Sequence, residues 1–186
     1  MRKTTFFTTL AALVLTATQA FSWTTWGTKD GDKKMYLSVD TGYSSCQYNA
    51  MKRGAQSWNA VGCSGFTFRQ DNPVKIDRPV PSKDGRSHIT YSSAGGALAV
   101  TYLMNNSSSR ECDMIIDNGV NFNCGPDASR WNEYDLEGVV CHEEGHMLGL
   151  GHSSVQAATM YYAIGAGDDS KRSLHQDDID GVCYLY

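Results

Sequence analysis

The sequence predicts a single α+β domain. The first part of the chain is dominated by short segments that alternate apolar and polar residues, with one helical stretch among them, and the last part turns to helical periodicity. The length of 186 residues suits one hydrophobic core rather than two.

The chain starts outside that domain. Arg2 and Lys3 precede an uncharged, apolar or threonine-rich run from Phe6 to Ala17, and Thr18-Gln19-Ala20 ends on a small residue. This is the order of zones in a secretory signal peptide, expected over residues 1–20, with one folded domain over 21–186. The run is too short for a bilayer, which takes about 20 residues. Met35 to Val39 alternates and reads as a strand, ended by Thr41-Gly42. Ser44 or Ser45 can cap a helix running to about Asn59, with Ala50, Met51, Ala55 and Trp58 at helical spacing. Phe66-Thr67-Phe68 reads as a strand, and the charged, proline-bearing stretch 70–87 as a loop. Further strands are expected at His88–Tyr91, Leu98–Tyr102 and Met114–Ile116. Leu136, Val139, Val140 and Met147 mark a helix from Leu136 to Leu148, and a glycine-rich stretch follows from Gly149 to Ser170. The chain closes on a helix whose first turn holds Asp177 and Asp178, placed to complement the helix dipole.

The formal net charge is −4, and loss of Arg2 and Lys3 makes the remaining chain more acidic. No block of Lys and Arg is present, so nucleic acid is not an expected partner, and no second apolar stretch suggests a membrane span. Export implies a secreted protein, extracellular or periplasmic, and a monomer is expected. Cysteines stand at 46, 63, 112, 124, 141 and 183, an even number that reads as disulfides in an exported chain. Spacing favours a Cys112–Cys124 pair across the turn at Asn118-Gly119. It disfavours Cys46–Cys63, which lie at opposite ends of one predicted helix, roughly 20 Å apart at a rise of about 1.5 Å per residue.

The segment that carries chemistry is Cys141-His142-Glu143-Glu144-Gly145-His146-Met147-Leu148-Gly149-Leu150-Gly151-His152-Ser153. His142 and His146 are one helical turn apart on one face, so both imidazoles can reach one metal ion. Glu143 projects beside that site and suits a general base for water activated there. Gly149 lets the helix end in a left-handed turn, and the chain can then bring His152 round as a third ligand. Three protein ligands with one position open is the arrangement of a catalytic zinc site.

This H-E-x-x-H-x-x-G-x-x-H pattern, with Ala158-Thr159-Met160-Tyr161 following as a methionine turn, resembles the metzincin signature. The short interval from His152 to Met160, Ser153 after the third histidine, and Leu174-His175-Gln176-Asp177-Asp178-Ile179-Asp180-Gly181 resemble the matrixin branch. Weaker likenesses are Ala55-Gln56-Ser57-Trp58 and Gly95-Gly96-Ala97-Leu98-Ala99. The resemblance implies a twisted, mostly parallel five-stranded sheet with one antiparallel edge strand, packed on two long helices, plus a C-terminal helix. It also implies a zinc endopeptidase with protein or peptide substrates. His142, His146 and His152 would hold one catalytic zinc, Glu143 would be the base, and Met160 would form an apolar floor beneath the imidazoles. A substrate would lie extended along Leu98–Tyr102, with Ala163–Ser173 walling the pocket for the residue after the cleaved bond. Tyr162 reads as a wall residue near the metal. Of Asp177 and Asp178, one would bind the mature N-terminus and the other brace the methionine turn.

The chain departs from the branch at several points. Val100 and Met114 stand near positions where animal matrixins carry ligands of a structural zinc, so none is expected, with disulfides stabilising that region instead. With so few residues between the signal segment and the first strand, a propeptide of normal size is not expected, and Cys124 reads as a disulfide cysteine at a turn rather than a latency switch. His88 and His175 are expected outside the site. Calcium, common in the family, stays open, since Asp168-Asp169 among glycines is only a partial likeness to a calcium loop. The alternatives to a general endopeptidase are a zinc-bearing secreted binding module and a narrow-specificity toxin or peptidase.

Overall fold

Alternation along Met35, Leu37 and Val39 puts three apolar side chains on one face of a strand, and all three are buried. The computed structural model describes residues 23–25, 33–105 and 110–186, so the expected signal peptide lies outside the described residues. The elements in chain order are β1 (Trp23–Thr25), β2 (Lys34–Val39), α1 (Ser45–Asn59), β3 (Thr67–Gln70), β4 (Ser87–Ser92), β5 (Ala99–Asn105), β6 (Arg110–Asp117), β7 (Phe122–Asn123), β8 (Tyr134–Asp135), α2 (Leu136–Leu148), β9 (Leu150–Ser153) and α3 (Gln176–Leu185).

The main sheet has the order β3-β2-β4-β6-β5, with β5 the one antiparallel strand, at the edge. The expected fold class therefore holds, including the antiparallel edge. Leu37, Val39, Ile89, Met114 and Ile116 join the core, where Ala50, Met51, Ala55 and Trp58 of α1 and much of α2 also lie. Helix α1 starts where Ser44 and Gln47 cap one another reciprocally. It approaches α2 closely at Gly54, where a Cβ would stand 3.1 Å from the Cys141 nitrogen and 3.3 Å from the Glu137 carbonyl.

The loop between β3 and β4 is fastened to the sheet by two buried carboxylates of β6. Glu111 accepts from the Asp84 and Gly85 N–H groups at 2.7 and 3.0 Å, and Asp113 accepts from those of Ser82 and His88, each at 2.9 Å. His88 meets Asp84 at 3.1 Å, well away from the other histidines. Carboxylates, not disulfides, hold this region.

The disulfides join Cys46 to Cys124 and Cys63 to Cys183. The expected Cys112–Cys124 pair is not formed. Cys112 lies in the middle of β6, fully buried, with its sulfur 3.9 Å from the Met147 carbonyl of α2, whereas Cys124 lies against the start of α1. Cys112 and Cys141 stay outside the disulfides. The poor prospects of a Cys46–Cys63 pair are borne out, since each ties its own end of α1 to a different element. Two small pairings went unread in the sequence: β1 with β9, antiparallel, and β7 with β8, parallel. Among the described residues no helix is long and apolar enough to cross a membrane.

Candidate metal centre

Helix α2 begins where the Asp135 carboxylate accepts the Gly138 N–H at 2.7 Å, and Arg172 in turn pairs with Asp135. It ends at Gly149, which takes φ 99° and turns its N–H back to Gly145 and His146 carbonyls. That exit sends the chain into β9 and returns His152 beside the two helical histidines. The ligand atoms of His142, His146 and His152 lie within 4.8 Å of one another, the one such group of His, Cys, Asp and Glu among the described residues.

The imidazoles are also oriented for a metal. His142 Nδ1 lies 2.7 Å from the Thr159 carbonyl and His146 Nδ1 lies 2.8 Å from that of Leu150. A carbonyl only accepts, so each Nδ1 carries the proton and each Nε2 is left bare as a donor to a cation. Burial lowers both rings, His142 to about 3 with the help of the neighbouring His146, which keeps them in the neutral form that binds metal. The donor set therefore fits zinc.

Glu143 points into the same space. Burial pushes its carboxyl up to about 7, against the lowering effect of the Thr101 hydroxyl, which donates to Oε2 at 2.7 Å. Thr101 belongs to β5, so the edge strand aims the carboxylate. The predicted methionine turn lies underneath. Met160 is fully buried, and a Cβ on Gly145 would come within 2.2 Å of its sulfur. Asp178 braces this turn by accepting from the N–H groups of Thr159, Met160 and His175 at 2.8, 3.0 and 2.8 Å. Asp177 instead accepts from the Ser153 hydroxyl at 2.6 Å, next to His152. His175 caps α3, outside the site.

A cleft of about 550 Å³ runs past the histidines, bounded by the β5 edge on one side and residues 161–164 on the other. Tyr162 is 66% exposed at its rim, with its ring centred 6.4 Å from that of His152. Sequence reasoning missed Thr101, whose role needs the cross-strand placement, and missed Gly138, while Lys171 falls within the 163–173 stretch expected to wall the pocket. A Cβ on Gly138 would lie 3.0 Å from the Lys171 Cβ, so that glycine lets residue 171 close against α2.

A helix-borne pair of histidines, a glycine exit, a third histidine and a buried methionine turn beneath them define a metzincin-type catalytic domain. The matrixin family model matches residues 38–186, and the chain belongs to that family. Metalloendoproteinase 5-MMP of Arabidopsis thaliana is 58% identical over 52 residues, which cover 28% of this chain and 14% of that protein. Matrix metalloproteinase-18 of Xenopus laevis is 30% identical over 138 residues, 74% of this chain and 28% of that protein. Interstitial collagenase of Bos taurus is 28% identical over 137 residues, 74% and 27% respectively. The chain thus spans only a minor part of the length of these relatives.

Proposed function

We propose that the chain is a zinc-dependent endopeptidase acting on proteins or peptides outside the cytoplasm, with residues 21–186 as its catalytic domain after a signal peptide at 1–20. The observation that carries this reading is the convergence of three imidazoles beside a buried carboxyl, in a cleft edged by a free strand. His142, His146 and His152 would hold the zinc. When bound, it supplies Lewis acidity toward a peptide carbonyl and a water molecule.

The chain's own residues do the rest. Among the described residues the outer edge of β5 has no neighbouring strand in the main sheet, so an extended substrate adds to it as a further strand. Glu143 takes the proton of the attacking water and passes it to the leaving amine. Thr101 fixes the carboxylate for that transfer, and Thr159 and Leu150 fix two imidazole planes.

The test is cleavage of casein and of a quenched peptide library, with and without chelator, beside zinc analysis. Chelator-sensitive cleavage is expected, with one zinc per chain, and Glu143→Ala should lose at least about a hundredfold in rate while keeping its zinc. One bound zinc without any cleavage would instead mark a binding module, and no bound zinc would end the reading.

A further inference from the structure

A second cavity, of about 410 Å³, opens at the carboxyl ends of β2 and β4 and shares no lining residue with the catalytic cleft. The sheet topology accounts for its place. From β2 the chain crosses through α1 to β3 on one side, while from β4 it goes on to β5 and β6 on the other. Two neighbouring parallel strands thus send their connections in opposite directions, and the crevice outside such a pair is where open parallel sheets bind ligands. The volume lies within the roughly 300–1,000 Å³ of small-molecule sites.

The walls define what can enter. On one side the loop between β3 and β4 supplies Ile76, Arg78 and Val80. Asp40, at the end of β2, pins that loop by accepting from the Gly42 and Ile76 N–H groups at 2.7 and 3.0 Å. Each carboxylate oxygen has taken one donor and has capacity for another. Arg78 gives one guanidinium nitrogen to Asp84, and its side chain is 49% exposed, so its fork holds further donors. From the strand end come Thr90, Tyr91 and Ser92. Two buried hydroxyls here have no hydrogen-bond partner among the described residues: that of Thr90 in the wall, and that of Tyr43, whose ring centre lies 5.3 Å from that of Tyr91. Burial raises the Tyr43 phenol, and Tyr91 and Asp40 add to that, so its hydroxyl lies within electrostatic reach of two groups of the wall. Buried hydroxyls without partners are rare and call for a water or a ligand atom.

The lining holds one acid, Asp40, and one base, Arg78, and therefore no net charge. An anion meets Asp40 and a cation meets Arg78, so neither recovers what it loses on leaving water. A hydroxyl-rich neutral molecule has no such conflict. The same group donates to a carboxylate, accepts from a guanidinium, and does either beside Thr90 and Ser92. Tyr91, Ile76 and Val80 offer apolar surface to the C–H face of a ring.

We propose that this cavity is a saccharide-binding site, which takes a neutral mono- or disaccharide through Asp40, Arg78 and the Tyr91 ring. The site stands apart from the peptidase reading. It would hold the domain on glycan-bearing material while the catalytic cleft stays open to a polypeptide.

The test is NMR titration of the isotope-labelled, zinc-loaded protein with glucose, mannose, galactose, N-acetylglucosamine, cellobiose and chitobiose. At least one sugar is expected to shift the amides of Gly42, Arg78, Thr90, Tyr91 and Ser92 and to leave those of His142, His146 and His152 in place. The uronic acid and amino-sugar counterparts of the sugar that binds should bind at least about threefold more weakly. Arg78→Met should weaken binding at least about tenfold, and Thr90→Val by about two- to tenfold. Removal of zinc by a chelator should leave the sugar affinity within about twofold, so failure here and failure of the peptidase reading are separable. No shift with any of these sugars overturns the assignment, as do shifts confined to the catalytic cleft, tighter binding of a charged counterpart, or unchanged affinity in both variants. If Arg78→Met does not fold, the wild-type map and the charged counterparts still decide.

Discussion

Gly145→Ala is the substitution by which the packing beneath the metal centre can be judged. In an open helix, alanine for glycine stabilises by about 1 kcal/mol. At 145 the added methyl would stand 2.2 Å from Met160 Sδ and 2.9 Å from Trp58 Cζ2, far inside a normal contact of about 3.5–4.0 Å. Neither neighbour can retreat freely. Trp58 is fixed by its indole N–H on the Cys141 carbonyl at 2.8 Å, and the Met160 backbone is held by Asp178 and by the Ser153 N–H at 2.8 Å. Overpacking of this kind costs roughly 1–3 kcal/mol, which for a chain of this size lowers Tm by about 2–4 °C per kcal/mol. A loss of roughly 2–12 °C in the metal-free protein is expected. Displacement of Met160 also drags Thr159, whose carbonyl orients His142, so zinc affinity should fall by about tenfold. Scanning calorimetry gives the first number and a competition titration against a zinc chelator gives the second. Gly62→Ala, where a Cβ would meet nothing within 4 Å, is the control and should stay within about 0.5 kcal/mol. A Gly145→Ala protein as stable as the wild type would refute the idea that helix α2 rests on the methionine turn through this residue.

Two further outcomes follow from buried carboxyls. Glu144 is fully buried and neither carboxyl oxygen has a hydrogen-bond partner among the described residues, so Glu144→Leu should stabilise by about 1–3 kcal/mol, read as a higher urea midpoint; a lower midpoint would mean the carboxyl is satisfied. Burial raises Asp113 above the ordinary carboxylate range, aided by Glu111 and opposed by the Ser82 and His88 N–H groups and the His88 charge. A raised folded value means that the native state holds the proton more tightly. The Asp113 contribution is therefore greatest below the unfolded pKa and is lost as pH rises through the folded one. Wild type should exceed Asp113→Asn in Tm by more at pH 4 than at pH 7, and a gap that widens toward pH 7 would reverse the sign.

Helix α2 and its ligands were legible because their signals are local. The i, i+4 spacing of His142 and His146, the Gly149 exit and the capping residue Ser44 all act within a few positions of the chain. The longer strands of the main sheet were legible for the same reason, through alternation. What escaped depends on distant partners. The β7–β8 pair has two residues on each side, too few to carry a period, and β1 is defined only by its pairing with β9. Cys124 finds Cys46 rather than Cys112 because β6 buries residue 112 toward α2, and no spacing rule encodes that. Glu144 received no reading from the motif around it, and its burial against Gly54 of α1 needs the packing of two helices. Lys171 falls in the stretch expected to wall the pocket, but its burial and its bonds to the Gln156 and Ala158 carbonyls come only from the fold.

The loop between β3 and β4 owes its attachment to Glu111 and Asp113, groups carried in the chain itself. That tether does not vary with the supply of ions in the surroundings. A medium rich in sequestering acids could silence the catalyst while this side of the scaffold stayed assembled, ready to resume when ions returned. Shutdown and recovery would then be separate from collapse.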